Sequence, residues 1–290
     1  MSDKAKVYFS KGITPEKVVE LYDLLGINLS GNVAVKVHSG EKGNQNFLKP
    51  EFWKPMIDKI GGTVVECNTA YGGERNTTAK HKVLLKEHGW SDMFKVDLLD
   101  AEGPDMVLEI PNGKMIKKNF VGKNIANYDS MLVLSHFKGH PMGGFGGALK
   151  QLSIGCASSA GKAYIHGAGD PSKIWTSDHD SFLESMADAA SSVVKLFEGK
   201  IAYISVLKNI SVDCDCCSVA EDPCMKDIGI MASLDPVAID RACLDKVYAA
   251  SDDPGQAHFL ERVESRNGVH TVDSAFELGV GTTDYELIEI

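Results

Sequence analysis

The stretch that decides the fold is Asn32–Cys67, NVAVKVHSGEKGNQNFLKPEFWKPMIDKIGGTVVEC. Its apolar, β-branched start, Asn32–Val37, is typical of a buried strand. Pro50 opens a helical pattern that ends at two consecutive glycines, and the apolar run Thr63–Cys67 follows. Strand, helix and strand in this order predict a unit with parallel strands.

The same alternation extends along the chain on both sides of this unit. Further strand-like runs are Ala5–Phe9, Phe94–Leu98, Met106–Ile110, Lys114–Lys118, Ser130–Leu134, Ile201–Leu207, Asp227–Met231 and Tyr285–Ile290. Further helical patterns are Pro15–Leu25, Thr77–His88, Phe182–Phe197 and Asp235–Tyr248. We therefore expect an α/β fold, with mostly parallel strands and helices on both faces. No repeat or linker divides the chain, so we expect one unit over 1–290, with lobes 1–130 and 131–290 as the alternative.

Composition narrows the class of protein. The 290 residues carry a net charge of −10, with 43% apolar and 24% charged side chains, as in an ordinary globular protein. An acidic chain argues against a nucleic-acid surface and suits a small-molecule partner. No apolar run is long enough for a membrane span, and the first residues lack the apolar segment of a signal peptide. We expect a cytoplasmic protein whose seven cysteines are thiols or metal ligands.

A segment rich in glycine and reactive side chains, Leu134–His166, follows one of the predicted strands. His136, Lys138 and His140 alternate, so in an extended chain they project to one side. These histidines could act as acid or base, and Lys150 could bind an anion together with backbone N–H groups. The alternative is a glycine hinge beside surface histidines. The glycines expected to hold the ligand are Gly143, Gly144, Gly146 and Gly147.

Two polar turns follow the strands of the unit quoted first. Lys36, His38 and Glu41 come at and after the end of the first strand, and a second polar turn follows Cys67. Ligands of parallel sheets bind at the carboxyl ends of strands. We therefore expect His38, Cys67 and His136 to line one cleft, although solvated polar loops would show the same pattern.

Four of the seven cysteines fall within eleven residues, CDCCSVAEDPC, at Cys214, Cys216, Cys217 and Cys224. Thiols this close suggest a soft metal, either zinc, iron or an iron–sulfur cluster. The spacing is that of neither a ferredoxin nor a zinc ribbon. We expect Cys156 or His166 to complete the ligand set, and a reduced thiol loop is the alternative.

Taken together, the motifs resemble a family known as domain of unknown function number three hundred and sixty-two. The resemblance rests on KVHSGEKGN, HFKGHPMGGFGGALKQLSIGCAS, CDCC and DIGIMASLDPVAIDRACLD. Members are often labelled as iron–sulfur or ferredoxin-like proteins, but this chain has no ferredoxin cysteine run. The glycine-rich segment is also distantly similar to that of nickel-pincer lactate racemases, in which histidines and a lysine hold the cofactor and move a proton. There His136, His140 and Lys150 would be the matching residues.

These observations predict a metal- or iron–sulfur-dependent enzyme that acts on a small anion. The first expectation for its chemistry is redox, and the second is proton transfer beside a carboxylate, as in a racemase or isomerase. Two alternatives are not enzymes. One is a non-catalytic carrier of a metal or cluster, and the other is a binding protein for a small anion.

Overall fold

One eight-stranded β-sheet organises the part of the chain, residues 4–290, that the computed structural model describes. The strands, numbered along the chain, are β1 Ala5–Ser10, β2 Val33–Lys36, β3 Thr63–Glu66, β4 Val96–Leu98, β5 Met106–Glu109, β6 Lys118–Val121, β7 Ser130–His136, β8 Lys138–His140, β9 Gly144–Gly146, β10 Ile201–Leu207, β11 Gly229–Ser233 and β12 Tyr285–Glu289. The sheet order is β12-β1-β11-β10-β7-β2-β3-β4. Only β11 runs against its neighbours, and all other adjacent pairs are parallel. The expected mostly parallel α/β fold is confirmed.

Helices flank the sheet. They are α1 Pro15–Leu24, α2 Pro50–Ile60, α3 Thr78–Glu87, α4 Trp90–Met93, α5 Ala148–Ser153, α6 Ser159–His166, α7 His179–Leu196, α8 Pro236–Ala249, α9 Gln256–Ser265 and α10 His270–Glu277. Local chemistry explains several starts. The Thr14 hydroxyl accepts the N–H of Lys17 ahead of α1, and Asp235 accepts two N–H groups ahead of α8. Proline occupies the first position of both helices, where its missing N–H costs nothing.

The core lies on both faces of the sheet, because successive side chains of a strand point to opposite sides. In β7, Leu132 and Leu134 pack into the cluster that includes α1 and α2. Met131 and Val133 of the same strand pack into the cluster that includes α7 and α8. All seven residues of β7 are buried, as expected for a central parallel strand covered on both sides.

One strand begins later than the sequence predicted. Strands β5 and β6 pair as an antiparallel hairpin, but β6 starts at Lys118 instead of Lys114. The carboxylate of buried Asp188, on α7, accepts the N–H groups of residues 114, 115 and 116 at 2.7–2.8 Å. Those groups are therefore unavailable for strand pairing, and the prediction of a strand over Lys114–Lys118 is wrong.

Strands on both sides of residue 130 belong to the same sheet, since β2, β3 and β4 adjoin β7 and β10. The division into lobes stays a prediction. No helix formed by residues 4–290 is both long and apolar enough to traverse a bilayer.

Candidate active site

A cavity lies where β2 and β3 end, between these strands and the segment that follows β7. The glycine-rich segment reaches it through the small ribbon β8–β9 and then α5. The basic side chains of the wall are Lys36, Arg75, Lys138, Lys150 and Lys162, and the imidazoles are His38, His140 and His166. The wall also contains one carboxylate, Glu66, and two thiols, Cys67 and Cys216.

Buried ion pairs neutralise part of this positive charge. Lys36 Nζ donates to Glu66 Oε2 at 2.7 Å, and Arg75 Nε donates to Glu41 at 3.2 Å. Ser39 donates its N–H and its hydroxyl to the other oxygen of Glu66. Burial by itself would raise the pKa of Glu66, but Lys36 and nearby cations outweigh it and hold that pKa well below its usual range. Glu66 and Glu41 are thus occupied by protein cations.

Asp215, which is not part of the cavity wall, contacts two residues of the glycine-rich segment. Its carboxylate lies 3.1 Å from Lys138 Nζ and 3.0 Å from His136 Nδ1. The other ring nitrogen of His136 lies 2.6 Å from the carbonyl of Lys208. His136 is therefore held on both sides by oxygen acceptors and is absent from the cavity wall, unlike His38 and Cys67.

Two lysines of the wall lack an acidic partner. Lys150 Nζ lies 3.3 Å from Cys214 Sγ, and Lys162 Nζ donates to the carbonyl of Ala157 at 2.7 Å. Within residues 4–290 neither ammonium group has a carboxylate oxygen within 4.0 Å. Lys150 leaves the cavity with uncompensated positive charge, which suits an anionic ligand.

Backbone contacts set the protons of the three imidazoles. His140 Nδ1 accepts the N–H groups of Gly143 at 2.8 Å and Met142 at 3.2 Å, so its proton is on Nε2. His38 Nδ1 accepts an N–H of the backbone in the same way. His166 is the reverse, because its Nδ1 donates to the carbonyl of Lys162 at 2.8 Å and leaves Nε2 as an acceptor.

All three imidazoles are uncharged near neutral pH. Burial, followed by Arg75, lowers the pKa of His38 to about 4, and burial lowers the pKa of His166 to about 4. Burial and the neighbouring Lys150 hold the pKa of His140 well below its usual value. The cavity therefore combines imidazole N–H donors with an imidazole acceptor.

Three soft donors lie together at one end of the cavity. Ligand atoms of His140, Cys214 and Cys216 are all within 4.8 Å of one another, and His140 Nε2 lies 4.0 Å from Cys216 Sγ. This group could hold a metal ion. The two thiols fit a soft ion directly once deprotonated, whereas His140 would first have to lose its Nε2 proton.

The other expected ligands are not members of this group. Cys217 and Cys224 are half-buried farther along the loop, and Cys224 Sγ contacts the carbonyl of Ile210. Cys156 is fully buried, and His166 is part of the cavity wall. Among residues 4–290, no ligating set includes any of these four.

The glycines divide into two pairs. Gly146 and Gly147 form part of the cavity wall, whereas Gly143 and Gly144 do not. The N–H groups at the start of α5 donate to the carboxylate of Asp240, at 2.7 and 2.9 Å, instead of facing the cavity. A Cβ on Gly147 would lie 2.3 Å from that carboxylate, which explains glycine there. Positive charge for an anion therefore comes from the lysines.

Several wall residues were not singled out from the sequence. They are Glu66, Lys162 and Trp175. Glu66 ends β3, so its position at the end of a strand was an available signal. Tyr71 and Arg75, also in the wall, belong to the polar turn after Cys67 that the sequence analysis considered. Lys162 lies inside a helix and Trp175 precedes one, and neither carries a local signature of a site.

Comparisons with known proteins support the family. The family model of Domain of unknown function (DUF362) matches residues 33–245, and so confirms the resemblance drawn from the motifs. The lactate racemase apoprotein from Thermoanaerobacterium thermosaccharolyticum is similar in structure, with a TM-score of 0.44 and 14% identity over 69% of this chain and 50% of that one. A crystal structure of a Thermotoga maritima protein gives a TM-score of 0.45 and 11% identity over 92% of this chain and 60% of that one. This chain thus spans 50% of the first protein and 60% of the second. No curated protein is significantly similar in sequence.

Proposed function

The chain belongs to the DUF362 family, and from its site we propose that it is an enzyme that binds a small carboxylate in the cavity and moves a proton on it, with a soft metal held at Cys214 and Cys216. The observation that carries this proposal is the ammonium group of Lys150, which lies in the cavity wall without a carboxylate partner among residues 4–290. An ammonium group that loses water without gaining an anion is costly, and a bound carboxylate would offset that cost.

The imidazoles supply the means to move a proton. His166 offers Nε2 as an acceptor, whereas His38 and His140 offer N–H groups at Nε2. A reaction that removes a proton from carbon and returns one needs both kinds of group. Lys150 would orient the carboxylate and stabilise negative charge that develops beside it.

A metal at the thiols would add Lewis-acid or electron-transfer chemistry next to the same cavity. Thiolate donors favour iron, zinc or another soft transition metal over magnesium or calcium. Reduced thiols of this kind are typical of the cytosol, to which the proposal assigns the protein.

The donor and acceptor imidazoles favour proton transfer over the redox chemistry that the sequence suggested first. Oxidoreduction would make the thiol-bound metal or cluster the reacting group. A carrier of metal or clusters would use the thiols but leave Lys150 and Lys162 without a role. Binding of small carboxylates therefore separates an enzyme from a carrier.

Metal content tests the thiol part of the proposal. Protein purified without air should hold a transition metal at a fixed ratio to the chain, and the double variant Cys214→Ser, Cys216→Ser should lose it. The matched control is Cys224→Ser, in the same loop but outside the donor group, which should keep the metal. If metal-replete wild-type protein contains none, the metal part of the proposal is wrong.

Calorimetric titration with lactate, pyruvate and oxalate tests the anion part. At least one of these carboxylates should bind to the wild-type protein with a stoichiometry of one. Absence of binding for all of them, in protein of verified fold, would contradict the proposal.

A further inference from the structure

Lys162 is buried, and the proton transfer proposed above does not require it to form a covalent bond. It is 6% exposed, it belongs to α6, and its only hydrogen bond among the described residues is to the carbonyl of Ala157. It nevertheless lines the cavity. Burial lowers the pKa of Lys162, which favours the uncharged amine.

The acids nearest to Lys162 are occupied elsewhere. The two oxygens of Asp100 accept the N–H groups of Asn68 at 2.9 Å and Ser159 at 2.8 Å. Glu66 is paired with Lys36. The fold thus brings a lysine into a buried cavity and uses the neighbouring carboxylates for other contacts, an arrangement that favours a nucleophilic amine over a structural ion pair.

Helix α6 fixes the position of this amine. The Ser158 hydroxyl accepts the N–H of Gly161 at the start of the helix. A Cβ on Gly161 would lie 2.1 Å from the carbonyl of Phe120, so glycine lets α6 approach β6 closely. His166 follows Lys162 by one helical turn and lines the same cavity, and its ring stacks on Phe182 with centroids 4.8 Å apart.

We propose that Lys162 forms an imine with the carbonyl group of a small 2-keto acid or aldehyde bound in the cavity. This inference rests on the proposed function, because the cavity must first admit the small anion. The neutral amine attacks the carbonyl carbon, and the resulting carbinolamine loses its hydroxyl group. His166 Nε2 relays the two protons of Lys162 Nζ in turn. The first reaches the carbonyl oxygen as the C–N bond forms and gives the carbinolamine hydroxyl, and the second reaches that hydroxyl, which leaves as water. The sum is amine plus carbonyl giving imine plus water, with no net oxidation.

An imine would serve the proton chemistry of the same cavity. Once its nitrogen takes up a proton from solvent, the imine withdraws electrons from the adjacent carbon more strongly than the parent carbonyl, so a proton on that carbon becomes easier to remove. Lys150, whose ammonium group lies beside Cys214, remains available to hold the carboxylate. The ligand class is accordingly a 2-keto acid with hydrogen on the carbon beside its carbonyl group, of which pyruvate is the probe.

Reductive trapping tests the proposal. Wild-type protein incubated with pyruvate and then borohydride should gain the mass of one reduced adduct, and peptide mapping should place it at Lys162. Lys162→Arg keeps a long hydrogen-bond donor at this position but has no amine that forms an imine, so the adduct should be lost. Lys173→Arg is the matched control, because Lys173 is exposed and lies outside the cavity wall, and it should keep the adduct.

Calorimetry of pyruvate binding separates the two proposals. Binding without an adduct would overturn the role of Lys162 and leave the proposed function standing, whereas absence of both would overturn both. An adduct that maps to Lys150 or is spread over exposed lysines would also overturn the assignment. Mapping of the wild-type adduct decides the matter even if Lys162→Arg does not fold.

Discussion

Lys150 is the residue on which anion binding depends most. Its ammonium group lies beside a thiol and has no carboxylate partner in residues 4–290. Lys150→Ala should therefore weaken the binding of a small carboxylate by about 1–3 kcal/mol, the scale of one charge-assisted hydrogen bond. Calorimetry measures this loss, with Lys173→Ala as the exposed control. An unchanged dissociation constant for Lys150→Ala would show that the carboxylate binds elsewhere.

Trp175 provides an optical signal for the same ligand. It lines the cavity and is 64% exposed, whereas Trp53 and Trp90 are 2% and 0% exposed. A ligand in the cavity should shield Trp175 from acrylamide quenching and leave the other two tryptophans unaffected. The ligand-dependent change should vanish in Trp175→Phe. A change that persists in that variant would mean that the ligand binds away from this wall.

His81 should make the fold sensitive to acid. It is fully buried, with Nδ1 3.2 Å from the side-chain oxygen of Asn68, and burial lowers its pKa to about 3. The unfolded value is about 6.5, so the stabilisation is present above that pH and is lost as pH falls towards the folded value. At pH 5 the wild type should have lost about 2 kcal/mol from this group.

Denaturant unfolding of His81→Asn measures this effect, because asparagine keeps a donor towards Asn68 but does not titrate. The free-energy difference between wild type and variant should shrink by about 2 kcal/mol from pH 8 to pH 5. A difference that is independent of pH would mean that the pKa of His81 is the same in the folded and the unfolded chain.

At the scale of elements, the contact between α6 and β6 positions Lys162, the cavity lysine that α6 carries. Gly161→Ala places a Cβ 2.1 Å from the carbonyl of Phe120, so we expect a loss of about 1–3 kcal/mol in unfolding free energy. Gly72→Ala is the control, since a Cβ there meets nothing within 4 Å and the backbone needs no positive φ. Equal stability of both variants would show that α6 shifts without cost.

Local pattern was enough to predict most elements of the sheet. Helix α2 and strand β10 begin and end at the residues expected from proline, glycine and apolar runs. The start of β6 was missed because Asp188, more than seventy positions away, captures the backbone it would have used. The reversed direction of β11 also has no local signature, because strand direction follows from how distant segments pair.

At the scale of the whole molecule, the cavity exists only because distant segments meet. His38, Lys138 and Lys150 could be proposed from the sequence, since they follow strands whose carboxyl ends share an edge. Their partners could not. Asp215 reaches Lys138 from a loop that returns after β10, and such pairing is decided by tertiary packing. The same packing separates Cys156 from the thiols with which the sequence grouped it.

The central claim is that this cavity moves a proton on a small carboxylate, and exchange of substrate hydrogen with solvent tests it most directly. Anaerobically prepared protein of known metal content is incubated in D2O with a panel of 2-hydroxy and 2-keto acids, and NMR follows deuterium on carbon. We predict enzyme-dependent incorporation for at least one acid, reduced in Lys150→Ala and in His166→Phe, and retained in Lys173→Ala. No incorporation above the protein-free rate for any acid that calorimetry shows to bind would contradict the claim.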